Sequence, residues 1–187
     1  VLSGSSVAGY AWSSGQGTQG FTLTSVTSAD AGTYEVTVTD LNGCTFSSSV
    51  AVVVNPLPTA AIAIAEMSGS TNDDGEICDG DQVTLTASGG STYAWSNGVN
   101  NATNIVTPTS TITYTVTVTD VNGCQDTEEQ QIIVYPLPTA GIDIVETSGN
   151  TDNDGNICEM DPITLTGTGG VSYEWNTTET TEDINPT

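Results

Sequence analysis

Two stretches of the chain hold oxygen-bearing side chains at matched spacing. Ser70 to Asp81 reads S-T-N-D-D-G-E-I-C-D-G-D, and Asn150 to Asp161 reads N-T-D-N-D-G-N-I-C-E-M-D, with starting points 80 residues apart (150 − 70 = 80). With the first residue of each as position 1, oxygen donors stand at 1, 3, 5, 7 and 12. They are Ser70, Asn72, Asp74, Glu76 and Asp81 in one loop, and Asn150, Asp152, Asp154, Asn156 and Asp161 in the other, with Gly75 and Gly155 at position 6. Side-chain oxygens at 1, 3, 5 and 12, a main-chain carbonyl at 7 and a turn-forming Gly at 6 suit a hard, oxygen-seeking cation, and calcium is the expected one.

This is the layout of an EF-hand loop with three departures. Position 1 is uncharged, position 12 is Asp instead of the longer Glu, and strands replace the flanking helices. Those changes predict a weak structural site, at roughly the 10⁻⁴ to 10⁻³ M level of extracellular modules. The plainer alternative is a solvated Asn/Asp/Gly turn.

The charge balance sharpens the question. The chain has 187 residues, 23 acidic side chains and no Lys, Arg or His, for a net charge of −23. No carboxylate has a protein cation to pair with, and clustered carboxylates repel one another unless a solution cation neutralises them. The same charge excludes nucleic acid as a partner, and without a polybasic segment there is nothing to hold an anionic membrane surface. No apolar run approaches the ~20 residues that span a bilayer, so membrane insertion is not expected. Enzyme activity is not expected either. Without His, Lys or Arg only a paired-carboxylate hydrolase would be chemically credible, and acids that recur in each repeat suit a structural site better than one active centre.

The elements that carry the loops repeat as well. Thr33 to Cys44, T-Y-E-V-T-V-T-D-L-N-G-C, aligns with Thr113 to Cys124, T-Y-T-V-T-V-T-D-V-N-G-C; P-L-P-T-A recurs at Pro56 and Pro136. D-Q-V-T-L-T at Asp81 aligns with D-P-I-T-L-T at Asp161, and Y-A-W-S recurs at Tyr10 and Tyr93 with an offset of 83. A period this long indicates tandem domains, here 1–55, 56–135 and 136–187, the outer two incomplete as if the chain were part of a longer protein. Within a repeat, Tyr34, Val36 and Val38 alternate with polar residues, as do Tyr114, Val116 and Val118, which is the period of a half-buried antiparallel strand. Ile62 and Ile64, Val83 and Leu85, Tyr93 and Trp95, and Ile105 mark further short strands, and the N-G dipeptides after Asp40 and Asp120 mark hairpin turns. No helical stripe is present. The expected fold is all-β, a series of sandwiches of about 80 residues joined by stiff P-L-P-T segments.

The combination of these motifs is specific. Trp12, Trp95 and Trp175, the D-A-G-T-Y of Asp30 to Tyr34, and the succession V-T-L-T-A-S-G-G, Y-A-W-S-N-G, T-Y-T-V-T-V-T-D-V-N-G-C and P-L-P-T-A resemble the immunoglobulin-like or PKD-like repeats of very large bacterial cell-surface and gliding-associated adhesins. The resemblance covers essentially the whole chain. It implies tandem immunoglobulin-like sandwiches placed end to end, the three Trp residues in the cores, and a tyrosine corner at Tyr34. Two departures stand out: S-T-I-T-Y replaces D-A-G-T-Y before Tyr114, and Val36 and Leu85 stand near where an inter-sheet disulfide would place its cysteines.

In such a sandwich the turn bearing Cys44 or Cys124 and the loop bearing Cys78 or Cys158 fall at opposite ends of a domain. That is far beyond the ~4.4–6.8 Å between Cα atoms that a disulfide allows. The favoured pairing therefore joins the acidic-loop Cys of one domain to the N-G-C Cys of the next. An intradomain bridge and unbridged thiols are the alternatives. Four cysteines at repeated spacing without His favour disulfides over zinc, and hence an oxidising, extracellular location, secreted or at the cell surface. The function expected is an extracellular structural repeat protein, a stalk, filament or fibrous surface layer whose joints are stiffened by calcium and disulfides. Its partners would be further copies of the same repeat or chain. The alternative is an adhesin module that recognises a glycan or surface ligand.

Overall fold

The computed structural model describes residues 7–69, 71–147, 149, 151–177, 180–181 and 183–184. Its strands in chain order are β1 (Val7–Trp12), β2 (Gly32–Asp40), β3 (Thr45–Val52), β4 (Ala61–Ala65), β5 (Glu76–Cys78), β6 (Val83–Ser88), β7 (Thr92–Trp95), β8 (Thr103–Val106), β9 (Ile112–Thr119), β10 (Gln125–Tyr135), β11 (Gly141–Val145), β12 (Thr164–Thr168) and β13 (Asp183–Ile184). A 3₁₀ turn at Ser28–Asp30 is the only helical element among the described residues, and no helix there is long and apolar enough to cross a membrane. The chain is all-β. Its sheets run β1–β2–β3, β4–β6–β8, β5–β10–β9–β7 and β11–β12–β13.

Alternation selects the buried face. In β9, Tyr114, Val116 and Val118 are buried while the Thr residues between them are half-exposed, and in β6 Val83, Leu85 and Ala87 are buried in the same rhythm. Ala60, Ile77, Trp95, Val106 and Ile132 are buried as well, and each fully buried large aliphatic stabilises the fold by about 1.5–3 kcal/mol relative to exposure.

Packing divides the chain into two compact units, 1–64 with 84–105 and 113–130, and 65–83 with 106–112 and 131–187; the middle copy of the period contributes to both. In the first unit, β1 pairs antiparallel with β2 so that Tyr10 faces Val38 and Trp12 faces Val36. β7 pairs with β9 in the same way, Tyr93 facing Val118 and Trp95 facing Val116. The three residues that separate the offsets of 83 and 80 therefore fall in the segment between β1 and β2 and leave the register untouched. Phe21 of that segment packs edge-on against Trp12 at 5.0 Å between centroids and also meets Tyr34.

In the second unit, β5 lies parallel to the end of β10, pairing Ile133 with Glu76, Val134 with Ile77 and Tyr135 with Cys78. This strand falls inside what the sequence presents as the acidic loop. β11, β12 and β13 form an antiparallel sheet whose order matches that of β4, β6 and β8.

Candidate functional site

The two acidic loops share their left-handed positions, although 76–78 form a strand and 156–158 do not. φ is positive at Gly69 (73°), Asp73 (62°) and Gly75 (81°), and at the residues 80 further on, Gly149 (82°), Asn153 (61°) and Gly155 (81°). Gly75 and Gly155 thus make the sharp turn that position 6 demands. The position-7 carbonyls lie close to the glycine that opens each loop: a β-carbon on Gly69 would stand 3.1 Å from the Glu76 oxygen, and one on Gly149 would stand 2.7 Å from the Asn156 oxygen.

A buried carboxylate that the spacing did not reveal organises the loop. Glu66, at the end of β4, is 5% exposed; its carboxylate accepts the main-chain N–H of Ser68 at 2.6 Å and of Asp74 at 3.1 Å. In return, Asp73 accepts the N–H of Glu66 at 3.0 Å, and Asp74 accepts that of Glu76 at 2.8 Å. A relay runs from the Cys78 N–H to the Ser68 hydroxyl oxygen (2.9 Å), and from that hydroxyl to the Asp81 carboxylate (2.6 Å). The second loop repeats the plan with Glu146, 2% exposed: it accepts the Asp154 N–H at 2.9 Å, while Asn153 accepts the Glu146 N–H and Asp154 that of Asn156. Asp81 and Asp161 each donate their main-chain N–H back to the Cys three residues earlier. Glu66 and Glu146 were findable, since both follow an alternating strand and stand 80 residues apart in I-A-E-M-S and I-V-E-T-S.

The expected ligands are thus brought into one loop each, with Asn72, Asp74, Asp152, Asp154, Asn156 and Asp161 exposed and Glu76 and Asp81 half-buried. Ser70 and Asn150, at position 1, lie outside the described residues. Among the described residues Asp73, Asp74 and Asp81 each engage one carboxylate oxygen with a protein donor, but no three His, Cys, Asp or Glu side chains converge on one metal-sized point. A calcium ion here would draw on single carboxylate oxygens together with Asn72 and the carbonyl of Glu76, a mixed donor set that calcium accepts.

In comparisons with known proteins, no family model and no curated protein matches this chain.

The N-G turns are equally regular. Asp40 accepts the N–H groups of Asn42 and Cys44, and Asp120 those of Asn122 and Cys124, at 2.8–2.9 Å. Burial of the Asp120 carboxyl raises its pKa, but the amides of Cys124, Asn122 and Gly123 outweigh that and hold it below the ordinary value. Cys124 directly precedes β10, whereas Cys78 lies beside its last residue, Tyr135. The 11 residues of β10 extend about 35 Å, too far for these two thiols to bridge.

All three Trp residues share one contact, an indole N–H donated at 2.9 Å to a carbonyl six residues on: Thr18 for Trp12, Asn101 for Trp95 and Thr181 for Trp175. Trp95 is 4% exposed, so its ring is core material with no face for a ligand. Tyr34 donates its hydroxyl to the Asp30 carbonyl at 2.9 Å, the bond of a tyrosine corner, within a turn whose Asp30 carboxylate accepts from Thr27.

Proposed function

We propose that this chain is part of an extracellular structural array, immunoglobulin-like sandwiches joined end to end as 1–55, 56–135 and 136–187, forming a stalk, filament or fibrous surface layer. The observation that carries the reading is the duplication of the acidic loop down to its left-handed residues and its buried glutamate. A loop whose left-handed positions and buried glutamate recur in successive repeats suits a role that every repeat needs, and a joint is such a role. In this reading calcium binds the loops through Asn72, Asp74, the carbonyl of Glu76 and Asp81, and through Asp152, Asp154, the carbonyl of Asn156 and Asp161. It neutralises carboxylates that no protein cation reaches.

The cysteines fit the same joint. Cys78 and Cys158 lie in the loops and Cys44 and Cys124 in the N-G turns, so a bridge from one repeat's loop to the next repeat's turn would staple neighbours together. An oxidising, extracellular setting follows from that chemistry. Electron microscopy of the native material with and without a calcium chelator tests the proposal. Regular fibres that lose stiffness on chelation are the expected result; dispersed globular particles under both conditions would overturn it.

A further inference from the structure

In the middle copy of the period, both ends of the segment are tied to one strand. On entry, the Ala60 N–H donates to the Asp126 carboxylate at 2.9 Å, and Ala60 is buried. The Thr59 carbonyl lies against Gly89 so closely that no β-carbon fits there. The chain therefore enters beside the second residue of β10. It leaves through the last, Tyr135, nine residues on (135 − 126 = 9) and about 30 Å away. Tension on the P-L-P-T segments that begin at Pro56 and Pro136 accordingly acts along β10.

The exit end of β10 is held by a strand that belongs to the entering side of the chain. β5 pairs in parallel with Ile133, Val134 and Tyr135, and the ladder extends at both ends: Ile133 donates its N–H to the Gly75 carbonyl at 2.9 Å, and Asp79 donates to the Tyr135 carbonyl at 2.8 Å. Side chains reinforce it. The Tyr135 hydroxyl donates to the Glu76 carboxylate at 3.2 Å, and the Thr111 hydroxyl oxygen accepts the Val134 N–H at 3.1 Å. Ile77 of β5 and Ile132 of β10 are fully buried.

Direction decides how this pair fails. β4, which pairs with β6, takes the load first; beyond it, tension draws β5 back toward Ala60 while it draws β10 on toward Pro136. Parallel strands pulled from opposite ends slide along one another, so all the bonds that cross between them are strained together. A pull across the same strands at one end would break those bonds one after another, each at a lower force. We infer that β5 and β10 form a load-bearing latch that keeps the middle copy folded under axial tension. The inference rests on the proposed reading of the chain as a stalk or filament, in which tension passes between repeats through the linkers. The latch governs the rate of forced unfolding, so its signature is a dependence on the direction of pull.

Single-molecule force spectroscopy of the 187-residue chain tests it, with the native cysteines replaced by Ser and new cysteines as handles. Leu57→Cys with Leu137→Cys, both at exposed positions, pulls along β10; Asp79→Cys, also exposed, with Leu137→Cys pulls the adjacent ends of β5 and β10 apart sideways. The axial pull should need about twofold the force of the sideways pull or more at one loading rate. It should lengthen the chain by roughly 250 Å, the reach of 80 residues (137 − 57 = 80) less the folded span. A second measurement needs no internal handles: the chain held by its two ends under reductant should show the same high-force step, and Tyr135→Phe should lower that force with the circular dichroism spectrum unchanged. Equal forces in the two directions, or no such step from the end-held chain, overturns the latch. Either result leaves the proposed array standing, because fibre microscopy with and without chelator decides that reading separately.

Discussion

Gly90 lies against Val118 so closely that a β-carbon on it would overlap Cγ1 of that valine and stand 2.8 Å from the Thr119 carbonyl oxygen. Val118 is fully buried and backbone cannot yield, so the space exists only for hydrogen. Gly90→Ala should therefore destabilise the chain by about 1–3 kcal/mol, the usual cost of overpacking. Urea unfolding followed by Trp fluorescence measures it, and Gly170→Ala in dilute solution is the control, expected within about 0.5 kcal/mol of the parent.

Glu66→Gln removes a buried acceptor from the acidic loop. The carboxylate takes two main-chain N–H groups, one on each oxygen, whereas an amide offers one oxygen and turns an NH₂ toward the second donor. The expected loss is about 1–3 kcal/mol of local stability. Hydrogen exchange at the Ser68 and Asp74 amides should speed up by one to two orders of magnitude, while exchange in β9 stays unchanged.

What the sequence disclosed follows from what periodicity can report. Val83, Leu85, Tyr114, Val116 and Val118 alternate with polar residues, and alternation by itself assigns a face, so β6 and β9 were legible residue by residue. The offset of 83 at Y-A-W-S against 80 elsewhere marks three extra residues after that motif in the first repeat, and the shared Trp–Val register places them between β1 and β2. β5 escaped notice because three residues carry no period and their partner Ile133 lies 57 residues beyond Glu76 (133 − 76 = 57). Glu66 escaped because a lone acid in an acid-rich chain resembles the rest. Its burial is decided by loop amides that alternation does not register.

Met160 occupies the left-handed region at φ 72°, where the first loop has Gly80 at 95°. Its side chain is 97% exposed and gains nothing from packing to offset a conformation that costs an L-residue about 1–2 kcal/mol. Met160→Gly should stabilise the second loop by about 1 kcal/mol, seen as slower exchange of the Asp161 amide, which donates to the Cys158 carbonyl at 3.1 Å. Gly80→Met should do the reverse in the first loop.

The turn carboxylates and the phenols give the chain opposite sensitivities at the two ends of the pH scale. Asp120 is lowered despite its burial because loop amides bind the carboxylate, and Asp30 is lowered by the amide and then the hydroxyl of Thr27. A folded pKa below the unfolded one means that the stabilisation is complete above the unfolded value of about 3.9 and disappears as pH falls through the folded value. Protection of the Asn122 and Cys124 amides should then drop below about pH 4, and Asp120→Asn should flatten that dependence. At the other end, burial raises Tyr114, and the hydrogen bond to Glu76, reinforced by its charge, raises Tyr135. A raised phenol contributes fully below its unfolded value of about 10 and loses that contribution as pH climbs through the folded one, so the pairing of β5 with β10 should loosen in alkali. Tyr135→Phe removes the hydroxyl that donates to Glu76 at 3.2 Å and should abolish the alkaline part of this response, read by exchange at the Ile133 and Asp79 amides, while leaving the acid limb intact.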